Sequence, residues 1–575
     1  MRLPAFLPAG LLAWLLVGTV SARTVIQVPT DPDSGVHIQI ESCFNQLPSG
    51  GYAAVDVVVN NSSGRTRTWN LQFGSPGWNA MYLGSDVSEQ IHYNASVTVE
   101  SGATRTFKLL APLATAEPAA TLSVEVSGYG LPNATHDFFP SGTRTGKPTT
   151  PALAVSDGAS AQLGKHLEEE ANLDSRQLYQ VSFRADELPD DWRALSGFGG
   201  IWLLDNEWGA LLPPQRTAVE DWVAAGGSLF ICAKAPAAPQ ERKGLGSIVS
   251  MDLRSLDRTA TRAQWKENAG ADMHSVTRDD SAHWKSAQEI GVLKPNLPLL
   301  IGFLAVFGTV VGPLNLFVFA REGRRSRLYW TVPVISLGAT GLLLLLIVFM
   351  DGFGGWGIRS AVICLVPSAR KAVVFQEQIS RTGVLGSTAF SLRDPAWMTM
   401  VNLDAESRFN RKTPSVQNSD THYGEDWFKS RSLQSQWIES VIPTRAEVVL
   451  INADEARDGG APPAIVSSIA VPLSDFCFWD SKGKIWRAKE VRTGVKTVLA
   501  PGESMKGLPA DARDLPADAR AALRLRLARA KAVRQGKFMA VSADAASFIE
   551  TLPSIQWKNR QAIYVGPVTG AEPPK

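Results

Sequence analysis

Two short runs bring reactive side-chain types to the ends of apolar segments. "GGIWLLDN", Gly199 to Asn206, ends in acid and amide, and Glu207 follows. "SLFICA" delivers Cys232. Asp205, Asn206 and Glu207 are candidate ligand-binding groups, and Cys232 is a weak candidate nucleophile. A thiol near neutral pH is mostly protonated and needs a base or a cation beside it to attack. Lys234 would lower its pKa, but one lysine does not make a catalytic pair. A buried strand cysteine is the plainer reading. Other chemistry is hard to find. The seven histidines are scattered, with no H-E-x-x-H, and there is no C-x-x-C, G-x-S-x-G or nucleotide-cradling glycine loop. No metal site and no cofactor is expected.

These residues sit in a stretch where β and α patterns alternate. "ALAVSD" and "LYQVSF" read as strands, and Ser160 to Ala171 as a helix. Pro214 to Ala225 reads as a helix with proline in its first turn, ended by Gly226-Gly227. Such alternation implies a parallel sheet covered by helices. Ligands of such sheets lie beyond the carboxyl ends of the strands, where 205–207 and Cys232 fall.

The run "GGIWLLDNEWG…LPPQRTAVEDWVAAGGSLFICAKAP" resembles the core of the class I glutamine amidotransferase-like fold, over Pro151 to Leu253. The resemblance implies a flavodoxin-like α/β domain over 151–290, with Cys232 at the nucleophile position. The sequence departs from the family at that elbow. Phe230 and Lys234 stand where G-x-C-x-G needs small residues. The family's later His-x-Glu is absent too: His274 is followed by Val276 and His283 by Lys285. The resemblance therefore implies a degenerate domain used for binding or assembly.

The composition of the 575-residue chain lies between a soluble enzyme and a polytopic membrane protein: 45% apolar, 19% charged. Its net charge of +2 gives no reason to expect nucleic acid. Residues 1–22 read as a signal peptide, with Arg2, an apolar stretch from Leu7 to Gly18 and a small-residue site at Val20-Ser21-Ala22. Two uncharged stretches, 297–320 and 328–350, are each long enough to cross a bilayer. Between them lie Arg321, Arg324, Arg325 and Arg327, opposed by Glu322. A short basic loop of this kind stays in the cytoplasm, so 321–327 is a topology signal. Both large regions then face the opposite side. The spans hold no Asp, Glu, Lys, Arg or His, which argues against a transporter by itself.

Residues 23–146 alternate apolar and polar side chains in short runs, the pattern of an Ig-like β-sandwich. "SGTRTGKPTTP", Ser141 to Pro151, reads as a linker. Residues 353–575 read as β-rich, with a hairpin turning at Asp480 to Gly483. The stretch 516–535 reads as a basic helix, solvated or docked on anionic lipid headgroups or an acidic partner, because Leu523, Leu525 and Leu527 define no single apolar face. An exported compartment would allow Cys364 and Cys477 to pair.

The wider layout is similar to a family of uncharacterised bacterial envelope membrane proteins. Gly312-Pro313-Leu314-Asn315 closes one span, a basic loop follows, and Trp330-Thr331-Val332-Pro333 opens the next. That resemblance implies a bacterial inner-membrane protein with both large regions periplasmic. The expected partners are the lipid bilayer and membrane or periplasmic proteins. The expected function is non-enzymatic: anchored modules that bind or assemble envelope components. The alternatives are an outer-face cysteine hydrolase or amidase using Cys232, and an accessory subunit of an export or transport complex.

Overall fold

The computed structural model describes residues 24–48, 50–76, 90–113, 122–132, 134–138, 152–162, 180–233, 240–252, 284–291, 297–319, 323, 325–401, 414–417, 421–452, 461–502, 521–530 and 535–571. The expected signal peptide and linker, Lys234, His274, His283, Arg321, Arg324 and the LPADAR repeat at 508–520 lie outside the described residues.

The first segment contains β1 (Thr24–Val28), β2 (Val36–Ser42), β3 (Tyr52–Asn61), β4 (Arg67–Pro76), β5 (Gln90–Val99), β6 (Ala103–Pro112), β7 (Leu122–Gly128) and β8 (Ala134–Phe138). Inward side chains alternate with outward ones, as Val55, Val57 and Val59 do in β3. β1, β2, β3 and β6 form one antiparallel sheet, and β4, β5, β7 and β8 belong to another. Ile38 and Ile40 of the first sheet share a core with Trp69, Leu71 and Phe73 of the second. This is the sandwich-like arrangement that the alternation predicts.

The second segment contains β9 (Ala152–Ser156), β10 (Gln180–Phe183), β11 (Phe198–Leu204), α1 (Asp205–Ala210), α2 (Pro213–Ala225), β12 (Ser228–Ala233), β13 (Gln240–Lys243) and β14 (Gly246–Asp252). The sheet order is β10-β9-β11-β12-β14-β13. All pairings are parallel except the edge pair β13–β14. β11 is buried along its whole length, which explains its unbroken apolar run. α2 starts on Pro213 and stops at Gly226, whose φ of 124° suits glycine. The first helix of this segment starts at 157, three residues before the expected Ser160.

A short helix, α3 (Lys285–Ile290), precedes two helices long and apolar enough to cross a membrane. The first is α4 (Leu297–Thr309), continuing in π-helical form through Val310–Phe319. The wider π turn accommodates Pro313, which lacks a hydrogen to donate. The second is α5 (Leu328–Asp351), with Pro333 inside. Among the described side chains of these helices, Asn315 alone is buried, fully, and the rest are exposed or partly exposed.

The last segment contains β15 (Gly355–Val366), β16 (Lys371–Thr382), β17 (Phe390–Ser391), β18 (Ala396–Met400), β19 (Pro414–Gln417), β20 (His422–Glu425), β21 (Leu433–Pro443), β22 (Val448–Leu450), β23 (Ala464–Ser467), β24 (Leu473–Trp479), β25 (Ile485–Val491), β26 (Thr497–Val498), β27 (Ala500–Pro501), α6 (Ala521–Ala530), β28 (Lys537–Ser542) and β29 (Ile555–Thr569). Most join a 12-stranded sheet centred on β16, β15, β29 and β28. β17, β19 and β20 do not. They complete the second sheet of the sandwich, giving the order β17-β20-β19-β5-β4-β7-β8. The sequence assigns them to a separate carboxyl-terminal module, yet β19 runs parallel to β5 and Tyr52 Oη donates to the Ala396 carbonyl at 3.3 Å.

One ionic contact joins the segments further, and a second holds α6 against β21 within the last segment. Lys371 Nζ of β16 lies 2.5 and 2.6 Å from the carboxylate oxygens of Asp221 on α2. Arg526 Nη2 of α6 donates to Glu439 Oε2 of β21 at 3.3 Å, both side chains being 6% exposed. The helix read as solvated is thus an internal element. Leu523, Leu527 and Ala530 form its apolar face, spaced four and three residues apart, and they share a core with Trp222 of α2 and Phe375 of β16. Cys364 and Cys477 are both unpaired. The register places them in one row, Cys364–Val565–Met539–Cys477, on four adjacent strands. Three strand spacings of about 4.8 Å put them roughly 14 Å apart, beyond the reach of a disulfide.

Candidate functional site

The carboxyl end of the parallel sheet gathers the residues that the sequence singles out. β9 and β11 are adjacent there, and the chain leaves them toward opposite sides of the sheet order, to β10 and to β12. That junction is where an open α/β sheet has its crevice.

The crevice is occupied by the protein's own side chains. β9 ends in Ser156, whose Oγ accepts the Ala159 N–H at 3.1 Å and so caps the helix beginning at 157. The same hydroxyl donates to Glu207 Oε2 at 2.5 Å. Glu207 is the third residue of α1, and its Oε2 also accepts the Leu204 N–H at 2.8 Å. This is the return half of a capping box. Space around the carboxylate is tight: a β-carbon added to Gly158 would lie 2.4 Å from Glu207 Oε1. Glu207 therefore joins two helix starts and two strand ends.

Asp205 and Asn206 are exposed on the first turn of α1 and point away from this junction's interior. Asp157, at the start of the neighbouring helix, is exposed as well. The part of its carboxyl that is shielded from water raises its pKa, Arg184 opposes this, and Glu207 adds to it. Arg184 follows β10 and holds Asp186 at 2.6 Å and Glu187 at 3.1 Å. Asp157, Arg184, Asp205 and Asn206 thus make a polar rim around a filled crevice. Ser156, Asp157 and Arg184 escaped the sequence reading. The signal available was "VSDG", a serine leaving an apolar strand at a helix start.

Cys232 is the last residue but one of β12, directly opposite Leu204 in the ladder. It is 2% exposed and packs with Leu153, Val155, Trp202, Phe230 and Met251. The Trp202 and Phe230 rings stack beside it at 4.7 Å. Burial pushes the Cys232 thiol up to about 12, and the negative charge of Glu207 adds to the rise. The structure therefore brings Glu207 and Cys232 near one another, but in a relation that keeps the thiol protonated. Among the described residues, no group of three or more His, Cys, Asp or Glu is placed to hold a metal ion.

No protein-family model and no curated protein matches the chain. Among solved structures it is similar in part to Bacteroides uniformis beta-glucuronidase 2, with 10% identity and a TM-score of 0.13 over 38% of this chain and 24% of that one. A second is the cycloisomaltooligosaccharide glucanotransferase of Paenibacillus sp., with 14% identity and a TM-score of 0.16 over 36% of this chain and 27% of that one. The chain spans about a quarter of those proteins, and a likeness of this order carries no argument about activity.

Proposed function

We propose that this chain is a non-enzymatic, membrane-anchored protein of the bacterial envelope. A two-helix hairpin anchors it, and its two large regions stand together on the periplasmic side of the inner membrane, where they bind or assemble other envelope components. One observation carries this reading. The regions before and after the hairpin interlock through the β5–β19 ladder and the Lys371–Asp221 contact. Two lobes that share a sheet must lie on one side of a bilayer. The basic loop between the helices favours the cytoplasm for itself and so the outer side for the lobes. Exposed Tyr329 and Trp330 at the start of α5, with Phe353 just beyond its end, suit the two interfaces of a membrane.

The parallel order β10-β9-β11-β12-β14 supports a flavodoxin-like, amidotransferase-like ancestry for the second segment. The buried, protonated Cys232 supports a binding role over hydrolysis. The test is a pair of fusions. A reporter that fluoresces only in reducing cytosol is inserted at Gly323 and, separately, after Lys575. Light from the first and darkness from the second is the expected result. Light from both sinks the hairpin. For the enzyme alternative, Cys232→Ala is expected to retain whatever envelope phenotype the wild type complements.

A further inference from the structure

The outer face of the seven-stranded sheet carries a line of side chains that the reading above leaves unused. Residues directly opposite one another in a ladder project from the same face. Ser391 of β17 lies opposite His422 of β20, and His422 opposite Gln417 of β19. Gln417 lies opposite Asn94 of β5, Asn94 opposite Gln72 of β4, and Gln72 opposite Glu125 of β7. Asn94 is half-exposed and the other five are exposed, while the alternate residues Tyr423, Val416, Tyr93, Phe73 and Val124 fill the core. Five strand spacings of about 4.8 Å make the line roughly 24 Å long.

Neighbouring rows have the same chemistry. Ser96 Oγ donates to Asn70 Oδ1 at 2.7 Å, and the Thr68 and Thr98 hydroxyls are 2.9 Å apart. Within the central line Ser391 Oγ and His422 Nδ1 are 2.5 Å apart. Among the described side chains named in these rows Glu125 is the one carboxylate, whereas a soluble surface carries roughly a quarter to a third charged residues. The line is also a product of assembly. Half of its strands come from before the membrane hairpin and half from after it.

Amides and hydroxyls both donate and accept hydrogen bonds. A continuous face made of them, with little net charge, suits an extended ligand that presents many neutral donors and acceptors. An ionic ligand would lose its hydration without gaining a counter-charge. We propose that this face binds an uncharged glycan strand lying across the β-strands. Each hydroxyl contact is weak, and binding comes from many of them repeated along a polymer. The inference stands on the face itself and is independent of which side of the membrane the face occupies.

The test is native gel electrophoresis of the full chain in detergent. Gels are cast with hydroxyethylcellulose or glycol chitin, both neutral, and with carboxymethylcellulose, the anionic twin of the first. Slowing by at least one neutral polymer, and none by the anionic one, is the expected result. The variant Gln72→Ala/Asn94→Ala/Gln417→Ala is expected to lose that slowing and keep its thermal unfolding. A second variant, Asn94→Asp/Gln417→Glu, keeps the shape, adds charge and should lose it as well. Equal slowing by the anionic polymer overturns the proposal, as does slowing by none or slowing that survives both variants. Concentration-dependent migration in a polymer-free gel that the triple variant abolishes assigns the face to a second copy of the chain, and also overturns it.

Discussion

The carboxyl end of the parallel sheet and the joint around α6 both bury ionisable groups, but their partners come from different distances along the chain. At the sheet end, Glu207 takes hydrogens from Leu204, three residues away, and from Ser156 on the adjacent strand. At the joint, Arg526 meets Glu439, 87 residues earlier, and Lys371 meets Asp221, 150 residues earlier. The first arrangement ends helices, and any sheet of this kind can build it locally. The second needs parts of the chain far apart to dock: Lys371–Asp221 joins the segments on either side of the two apolar helices, and Arg526–Glu439 folds α6 back onto β21 within the last segment. Burying a charge is costly unless it is paired, so a buried pair between distant segments also penalises every misdocked form.

The largest effect should therefore come from the joint. Arg526→Ala leaves Glu439 buried without its guanidinium and is expected to cost about 3–5 kcal/mol in guanidinium chloride unfolding of the full chain in detergent. Trp192, Trp222 and Trp397 lie around this pair and supply the fluorescence signal. Replacing both partners, Arg526→Met with Glu439→Leu, should recover most of the loss. A single variant as stable as the wild type would remove the contrast between joint and cap.

The sheet end gives a smaller effect whose sign is informative. Glu207→Ala removes the return bond to Leu204 and the acceptor of Ser156, and is expected to cost about 1–2 kcal/mol in the same measurement. An acid kept for ligand binding behaves the other way, since functional residues are commonly held at the expense of stability. A Glu207→Ala chain more stable than wild type would return Glu207 to the binding role that its position in the sequence first implies.

This contrast separates what the sequence makes legible from what it hides. Local signals are clear. Gly226 ends α2 where glycine predicts and the helix starts on Pro213, one residue before the expected Pro214; the turn at Asp480 to Gly483 joins β24 to β25, and both apolar helices coincide with the uncharged stretches. The coarse β-sandwich pattern is equally plain in Val55, Val57 and Val59. Partnership across hundreds of residues is not. Nothing in "PSVQ" or "HYGE" marks β19 and β20 as strands of a sheet begun near residue 67, because edge pairing is carried by backbone groups common to all residues. The α6 helix misleads for a related reason. Its buried face is Leu523, Leu527 and Ala530, and an alanine counts as apolar only once a neighbour covers it. At the sheet end, the residue types 205–207 are legible while the inward turn of Glu207 depends on Ser156, 51 residues away.

The joint also predicts a pH dependence. Burial raises the Glu439 carboxyl from its ordinary 4.5, with Arg526 pulling it back, and raises Asp221 from 3.8, with Lys371 opposing. The folded chain then keeps protons that the unfolded chain has released. Stability from these groups is complete below the unfolded pKa values and is lost as pH rises through the folded ones. Glu439→Gln cannot titrate, so its stability relative to wild type should improve as pH rises from about 4 to about 7. A variant that instead loses stability relative to wild type over that window would mean that Arg526 outweighs burial.

The smallest expected signal is a protection, and it bears on the sheet end alone. Cys232 is 2% exposed with its thiol pushed up to about 12, and Cys364 and Cys477 are buried with theirs at about 11. Cys43 is half-buried at the edge of a cleft of about 150 Å³ between β2, β3 and the loop at Glu187 to Asp191. At pH 8 a thiol of pKa near 12 is ionised to about one part in 10⁴, and only the thiolate reacts at a useful rate. Brief iodoacetamide treatment of the native chain, read by peptide mass spectrometry, should therefore label Cys43 first and leave Cys232 unmodified until denaturant is added. Glu207→Gln removes the nearby negative charge but leaves Cys232 buried, and burial is the larger cause of the raised pKa, so the protection should persist in that variant. Rapid native labelling of Cys232 would mean that the crevice opens, and the sheet end would then differ from the joint in its dynamics as well as in the distance between its partners.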